Sequence, residues 1–489
     1  MKRILFTHSY FLQFDPKQWE QMQPYAPLGT IYAAALLREN NFEVGLHDVM
    51  FQNKPENILE KIQTFKPDIL VIYDDGFNYL TKMCLTNMRE AAYQMAQIAK
   101  ANACITIAAS SDSTDHHKEY LNNGLDYVIL GEAEHTLLSL CQSVFSENFN
   151  PKAISGLVFR SENEFVNSGK RSVMTDLDSL PFPAWDLVNV EEYRNNWINK
   201  HGYFSINFAT TRGCPYKCNW CAKPIYGNRY NARTPKNVFD EIKVLHQRYQ
   251  FDHIWFCDDI FGLKPGWVKE FAALLKAENL KIKFKIQSRA DLLLNDEQVK
   301  PLADAGCETV WMGAESGSQK ILDAMDKGTT VVQIETATKM LREQGIEVAF
   351  FIQFGYLGET KKDIMLTLEM IENLKPDIIG ISVSYPLPGT SFFEKVKTEL
   401  EHKSNWTDSD DLAMMFKGTF NTDYYRKLHR FTHKKFKQLK NKERIKSVLK
   451  KPAEFKLKDI RTGMIYCYYT IDNFIAQRQL NKMQNTHHG

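Results

Sequence analysis

The segment TTRGCPYKCNWCAKP, residues 210–224, carries three cysteines in the spacing CxxxCxxC: Cys214, Cys218 and Cys221. It follows an apolar run over residues 204–211 that reads as a strand, so the cysteines sit in the loop at a strand's carboxyl end. Three thiolates within eight residues converge on one centre when the chain loops around it. A four-iron cubane held by three cysteines has one open iron. That iron can bind a small molecule and pass an electron into it. Zinc is the competing reading, but structural zinc usually takes four protein ligands, and the next cysteine in the chain is Cys257. A redox CxxC pair is a further alternative, made less attractive by the third cysteine.

Outward from this loop the chain alternates strand and helix patterns. Downstream, strands are expected over residues 204–211, 253–258, 283–289, 309–315, 348–355 and 378–385, separated by helical stretches. In the first of these, Val238, Ile242, Leu245 and Tyr249 share a face. Six such units make an open sheet or a partial barrel, with chemistry where strands end and loops begin. Upstream, strands are expected over residues 3–9, 43–48, 68–74, 105–110 and 127–131, with PLGTIYAAALLREN (27–40) as an amphipathic helix between the first two. This pattern predicts a doubly wound parallel sheet. Its candidate ligand loops begin at residues 8–10, 74–78, 110–112 and 131–134. Between the modules, GLVFRSENEFVNSG (156–169) reads as a hairpin and DLDSLPFPAWDL (176–187) as an extended linker. The domain expectation is therefore 1–150, a linking hairpin at 151–200, 201–395, and a helical basic region at 396–489.

With 489 residues, 44% of them hydrophobic, the chain can bury two or three cores. A net charge of +2 gives no global field for nucleic acid. No apolar run is long enough to span a bilayer, and the start of the chain reads as a strand, so a cytoplasmic protein is expected. Nine cysteines are too few for a disulfide scaffold, which makes them thiols or ligands in a reducing compartment.

The region from 204 to 393 resembles a radical S-adenosylmethionine (SAM) domain, by its CxxxCxxC with the aromatic Trp220 before the last cysteine. The resemblance implies a [4Fe–4S] cluster on Cys214, Cys218 and Cys221. The open iron then chelates SAM, and one-electron reduction yields a 5′-deoxyadenosyl radical. It further implies SAM contacts from Asp258 in HIWFCDDIF, from Ser288 and Arg289, from Glu315 in WMGAESGS and from Gly355 in GYLGET. Leu357 replaces the proline usual in that last loop. Each also has a plain structural role: Asp258 as a cap, Arg289 as a partner of Asp291, Gly355 as a turn.

The first module, through YAPLGTIYAAALLRENNFEVGLHD, KPDILVIYD and DYVILGEAEHTLLSL, resembles the cobalamin-binding domain of cobalamin-dependent radical SAM enzymes. Ser9, Tyr10, Gly29, Gly76 and Gly131 are the implied contacts. It lacks the DxHxxG motif whose histidine ligates cobalt. His8 lies nearby, but reads more readily as a structural histidine. NWTDSDDLAMMF (405–416) resembles the branch containing the anaerobic magnesium-protoporphyrin monomethyl ester cyclase. Met414, Met415 and Phe416 there are expected in the core rather than in a substrate pocket.

The resemblance implies methylation or oxidative cyclisation of an unactivated carbon in a small-molecule substrate, with a flavodoxin- or ferredoxin-type low-potential donor. The alternatives are a cobalamin-independent radical SAM enzyme whose first domain binds substrate, and a non-catalytic cobalamin or metal sensor. The basic stretch 426–451 reads as a solvated helix face, with an acidic donor or anionic lipid as its other possible partners.

Overall fold

The computed structural model describes residues 2–77, 85–221, 225–400, 405–451 and 455–485. Asn78, the last residue of one expected ligand loop, lies outside them.

The first sheet is built from β1 (Arg3–Thr7), β2 (Glu43–His47), β3 (Ile69–Tyr73), β4 (Ile105–Ala109), β5 (Tyr127–Ile129), β6 (Leu157–Ser161) and β7 (Glu164–Asn167). Its order is β2-β1-β3-β4-β5-β6-β7, with the first five parallel. β3, ILVIY, is buried at every position, as a central strand covered on both faces must be. The expected hairpin is part of this sheet: β6 pairs antiparallel with β5, and β7 with β6. β5 ends early because the Leu130 amide donates to Gly156 O (2.8 Å) at the start of that hairpin. The order of the parallel strands reverses at β1, so the crevice for a ligand lies beyond the carboxyl ends of β1 and β3. Helix Leu28–Glu39 is buried over ten of its twelve residues. It is enclosed on both sides, by its own sheet and by the linker, whose Ala184 amide donates to Ile31 O.

The second sheet comprises β8 (Ser205–Phe208), β11 (His253–Phe256), β12 (Lys283–Ser288), β13 (Cys307–Glu315), β14 (Glu347–Phe354) and β15 (Ile378–Val383). They stand in chain order and all are parallel. Chain order with helical crossovers is the topology of a barrel, and here six strands make it partial. The crossover helices start at built caps. Thr234 accepts from the Asn237 amide ahead of a first-turn proline, and Thr330–Gln333 and Thr360–Asp363 form reciprocal capping boxes.

The expected strand 204–211 is interrupted. After Phe208 the chain leaves the ladder, and Thr211–Arg212 (β9) pairs with Asn231–Ala232 (β10) in a separate two-stranded ribbon. The cause is a carboxylate from the next strand's end. Asp258 accepts from the Thr210 amide (2.7 Å), the Thr210 hydroxyl (2.5 Å) and the Thr211 amide (2.9 Å).

The C-terminal region begins with the buried Met414, Met415 and Phe416, which are core as expected. Two 29-residue helices follow, Thr422–Lys450 and Leu457–Asn485, packed as a hairpin. Among the described residues no helix is long and apolar enough to cross a membrane.

Candidate functional site

The cysteine loop is pinned at both ends. Gly213 has φ +78°, and a Cβ there would lie 2.2 Å from Arg229 O, so only glycine fits before Cys214. Asn219, between the second and third cysteines, donates from its amide to Met325 O (3.1 Å). Its side chain donates to Ala324 O and Asp326 and accepts from the Tyr356 hydroxyl. The loop thereby presents Cys214, Cys218, Trp220 and Cys221 to one cavity of about 1330 Å³.

No three His, Cys, Asp or Glu side chains among the described residues are already drawn to metal-ligand spacing. The thiols are nonetheless close enough to sense one another. Burial, then Asp259 and the other two cysteines, pushes the Cys221 thiol up to about 12. An assembled charge there needs cations, and two are in place. Arg289 approaches Cys218 Sγ at 3.6 Å over the Tyr216 ring, and the buried Lys327 lies 5.8 Å from the Trp220 ring. Both are held from behind, Arg289 by Asp291 (2.9 Å) and Lys327 by Glu315 (2.8 Å). Three thiols, with no fourth protein ligand among the described residues, flanked by fixed cations and facing open space, suit a negatively charged iron–sulfur cluster with one open iron. The Trp220 indole N–H is buried without a partner in the same wall.

The cavity continues into the barrel. Trp255, Trp311 and Phe351 line it, with the Trp311 and Phe351 rings stacked at 4.7 Å. Gln353 adds a buried, unpartnered carbonyl oxygen. One lysine, Lys285, lies 5.5 Å from both the Tyr25 and Trp255 rings, and burial drops its ammonium to about 8. Such a lumen accepts a largely apolar molecule and fixes it by few polar groups.

The carboxyl edge of the first sheet reaches the same cavity through Tyr10, whose buried hydroxyl has no partner. The carboxylates after the third strand of that edge are satisfied by the protein. Asp74 accepts from the Ser9 amide (2.6 Å), and Asp75 accepts from the Gly29 (3.2 Å) and Phe77 (2.9 Å) amides. Gly29 is enclosed between Tyr73 and Asp75. Gly76 and Gly131 face the segment after the cysteines, where a Cβ would meet Ile225 at 3.0 and 3.5 Å. At Gly76 the missing side chain lets the two modules approach, whereas Gly131 is required by its φ of +72°. His8 Nε2 pairs with Asp48 (2.9 Å).

Of the expected SAM contacts, Ser288, Arg289 and Glu315 line the cavity with Trp220. Asp258 does not: its oxygens are taken by Thr210 and Thr211, and burial lifts its carboxyl to about 6. Its neighbour Asp259 lines the cavity instead. Gly355 is also diverted. At φ +79° it packs against Met414, Val383 and Tyr425, and its amide donates to Glu359 (2.7 Å). Sequence reasoning missed Arg212, two residues before Cys214. It is buried, with bonds to Glu132 (2.5 Å) and Glu134 (2.7 Å) at the end of the first sheet. The alternating acids of GEAEH were its only signal.

Comparison with known proteins agrees with this layout. Residues 208–371 match the radical SAM superfamily, and residues 23–140 match the B12 binding domain. An uncharacterised methyltransferase of Pyrococcus horikoshii is 27% identical over 451 residues, 91% of this chain and 94% of that protein. The anaerobic magnesium-protoporphyrin IX monomethyl ester cyclase of Rubrivivax gelatinosus is 26% identical over 82% of this chain and 71% of its own. Among solved structures, the cobalamin-dependent SAM radical enzyme OxsB superposes with a TM-score of 0.73 at 16% identity, over 98% of this chain and 72% of its own. The methyltransferase TsrM of Kitasatospora setae gives 0.67 at 18%, over 81% and 78%. Both likenesses speak for the fold. With a B12-binding domain followed by a radical SAM domain, this chain belongs to the cobalamin-binding radical SAM enzymes, whose cofactors are a [4Fe–4S] cluster, SAM and cobalamin.

Proposed function

We propose that this enzyme transfers a methyl group to an unactivated carbon of a largely apolar small molecule held in the barrel lumen. The observation that carries the reading is the shared cavity. The cluster thiols, the aromatic lumen and Tyr10 of the cobalamin module all border one space. The relative matched nearly end to end is named a methyltransferase, which favours methyl transfer over cyclisation.

In this reading Cys214, Cys218 and Cys221 hold the cluster, and Arg289 and Lys327 neutralise its charge. Ser288 and Arg289 take the ribose and carboxylate of SAM, and Asp259, in place of Asp258, takes its ammonium. Glu315 positions Lys327. Tyr10 is the retained cobalamin contact among Ser9, Tyr10, Gly29, Gly76 and Gly131. Bound there, the cluster supplies the electron that cleaves SAM, and cobalamin carries the methyl group. Trp255, Trp311 and Phe351 exclude water and orient the substrate, which protects a reactive radical from side reactions. The working division is 1–150 for cobalamin with the hairpin and linker of 151–200, 201–395 for radical chemistry and 396–489 as a helical appendage. A flavodoxin or ferredoxin supplies the electron.

The test is anaerobic reconstitution followed by product analysis under reduction. Wild type should contain iron and release 5′-deoxyadenosine, and Cys218→Ala should release none. Methyl transfer adds S-adenosylhomocysteine. 5′-Deoxyadenosine with an oxidised product and no S-adenosylhomocysteine would replace methylation by cyclisation. Bound zinc without iron would refute both.

A further inference from the structure

The last helix carries apolar residues on its outer face as well as against the core. Leu457–Asn485 meets Thr422–Lys450 through polar groups: Asp459 pairs with Arg444 (2.8 Å) and Asp472 with Lys434 (2.7 Å), while Gln438 binds both Thr470 and Asn473 (2.8 Å each). Leu480 is buried against the core, but a second set of large apolar residues points the other way. Leu457, Ile460, Met464, Tyr468, Ile471 and Ile475 recur at steps of three and four, and Leu457 is 83%, Met464 63% and Ile471 65% exposed. Residues at such steps share one helix face. A helix packed on a protein normally turns that face inward. A contiguous apolar stripe left outside marks a surface that something apolar covers.

Charge identifies the cover. Residues 422–485 hold 17 of the chain's 61 Lys and Arg, but only five of its 59 Asp and Glu. The remainder of the molecule is therefore net acidic. On the last helix itself both carboxylates, Asp459 and Asp472, are turned inward to their cationic partners. The charges beside the stripe are Lys458, Arg461, Arg478 and Lys482, all exposed. A second copy seated stripe to stripe would bring two cationic hairpins together, a like-charge arrangement that opposes association. An acidic electron carrier or a nucleic acid would satisfy the charge, but gives no use to a line of leucine, isoleucine and methionine. An apolar stripe between cationic flanks is the composition of a helix lying in a membrane interface, apolar face in the acyl boundary and cations at anionic headgroups.

We propose that Leu457–Asn485 docks this enzyme on an anionic lipid surface. Each cation near such a surface adds attraction that salt screens, while the stripe adds salt-insensitive burial. The test is flotation of the cluster-loaded full-length protein with vesicles of equal phosphatidylglycerol and phosphatidylcholine, and with phosphatidylcholine alone. Wild type should partition onto the anionic vesicles at least tenfold better. Met464→Asp with Ile471→Asp should lower that binding at least tenfold, with iron content unchanged. Lys458→Glu with Arg461→Glu and Arg478→Glu, which leaves the apolar face intact, should remove the preference for anionic lipid. The proposal is overturned if wild type ignores anionic vesicles or if the stripe variant floats undiminished. It is equally overturned if light scattering shows a dimer that the stripe variant dissolves, or if that variant's main defect is slow reduction by flavodoxin.

Discussion

The two sheets end differently, although both are parallel and both put their loops at the same kind of edge. At the first, most strand-end carboxylates are taken up within the protein: Asp74 takes the Ser9 amide, Asp75 takes two amides, and Glu132 and Glu134 grip Arg212, while the Tyr10 hydroxyl, His47 Nε2 and one Glu134 oxygen stay unpartnered. At the second, three thiols, the Trp220 N–H and, deeper in the lumen, the Gln353 carbonyl and Lys285 face a cavity. Strand-end position therefore marks where a site can be, and unsatisfied polar groups that open on a cavity mark where one is. Natural proteins satisfy nearly all buried polar atoms, so the exceptions carry information.

The contrast breaks hardest at Arg212, the cation that ties one edge to the other. Arg212→Met leaves Glu132 and Glu134 facing a buried apolar side chain. Removing one partner of a buried ion pair costs about 3–5 kcal/mol. Denaturant unfolding at neutral pH should show a loss of that order, and Glu134→Gln added to Arg212→Met should recover part of it. An effect below about 1 kcal/mol would mean that the junction is solvated and the first edge is not closed.

Much of this architecture was readable from residue pattern. The strand–helix alternation placed both sheets, because period two and period 3.6 are local properties. The cysteine loop was readable for the same reason: its three thiols lie within eight residues. What escaped was set by groups distant in sequence. The break after Phe208 depends on Asp258, and nothing in residues 204–211 announces it. The choice between Asp258 and Asp259 turns on which of two adjacent carboxylates meets Thr210, a tertiary fact. Arg212 belongs with Glu132 and Glu134 only once the two modules are docked. Gly76 and Gly131, two of the expected cobalamin positions, lie against Ile225, a contact that exists only once the two modules are docked.

The adjacent aspartates sharpen the comparison within a single turn. Asp258→Asn puts an amide group where three donors converge, so one N–H of the loop or of the new side chain loses its acceptor. The expected cost is about 1–3 kcal/mol of stability. Asp259→Asn disturbs the cavity rather than the scaffold, and should weaken SAM binding about tenfold, roughly 1.4 kcal/mol. Equilibrium dialysis with SAM and parallel unfolding curves separate the two. If Asp258→Asn weakens SAM binding while stability is unchanged, the assignment reverses.

Lys285 gives the smallest effect and the most specific signature. Its ammonium sits in the aromatic lumen, and burial lowers its pKa from the ordinary 10.5 to about 8. Between pH 8 and about 10.5 the unfolded chain then binds more protons here than the folded one, so stability from this residue rises with pH. Below pH 8 both states carry the charge and the folded state bears its full desolvation cost. Lys285→Met removes that cost, and should stabilise the protein at pH 7 by about 1–2 kcal/mol, less than the shift alone implies because the cavity admits solvent. The advantage should shrink through pH 8–10 and vanish above it. Unfolding of wild type and Lys285→Met across that range is the measurement. A pH-independent difference would assign the gain to packing, and a loss at pH 7 would show that Lys285 has a partner in the folded lumen.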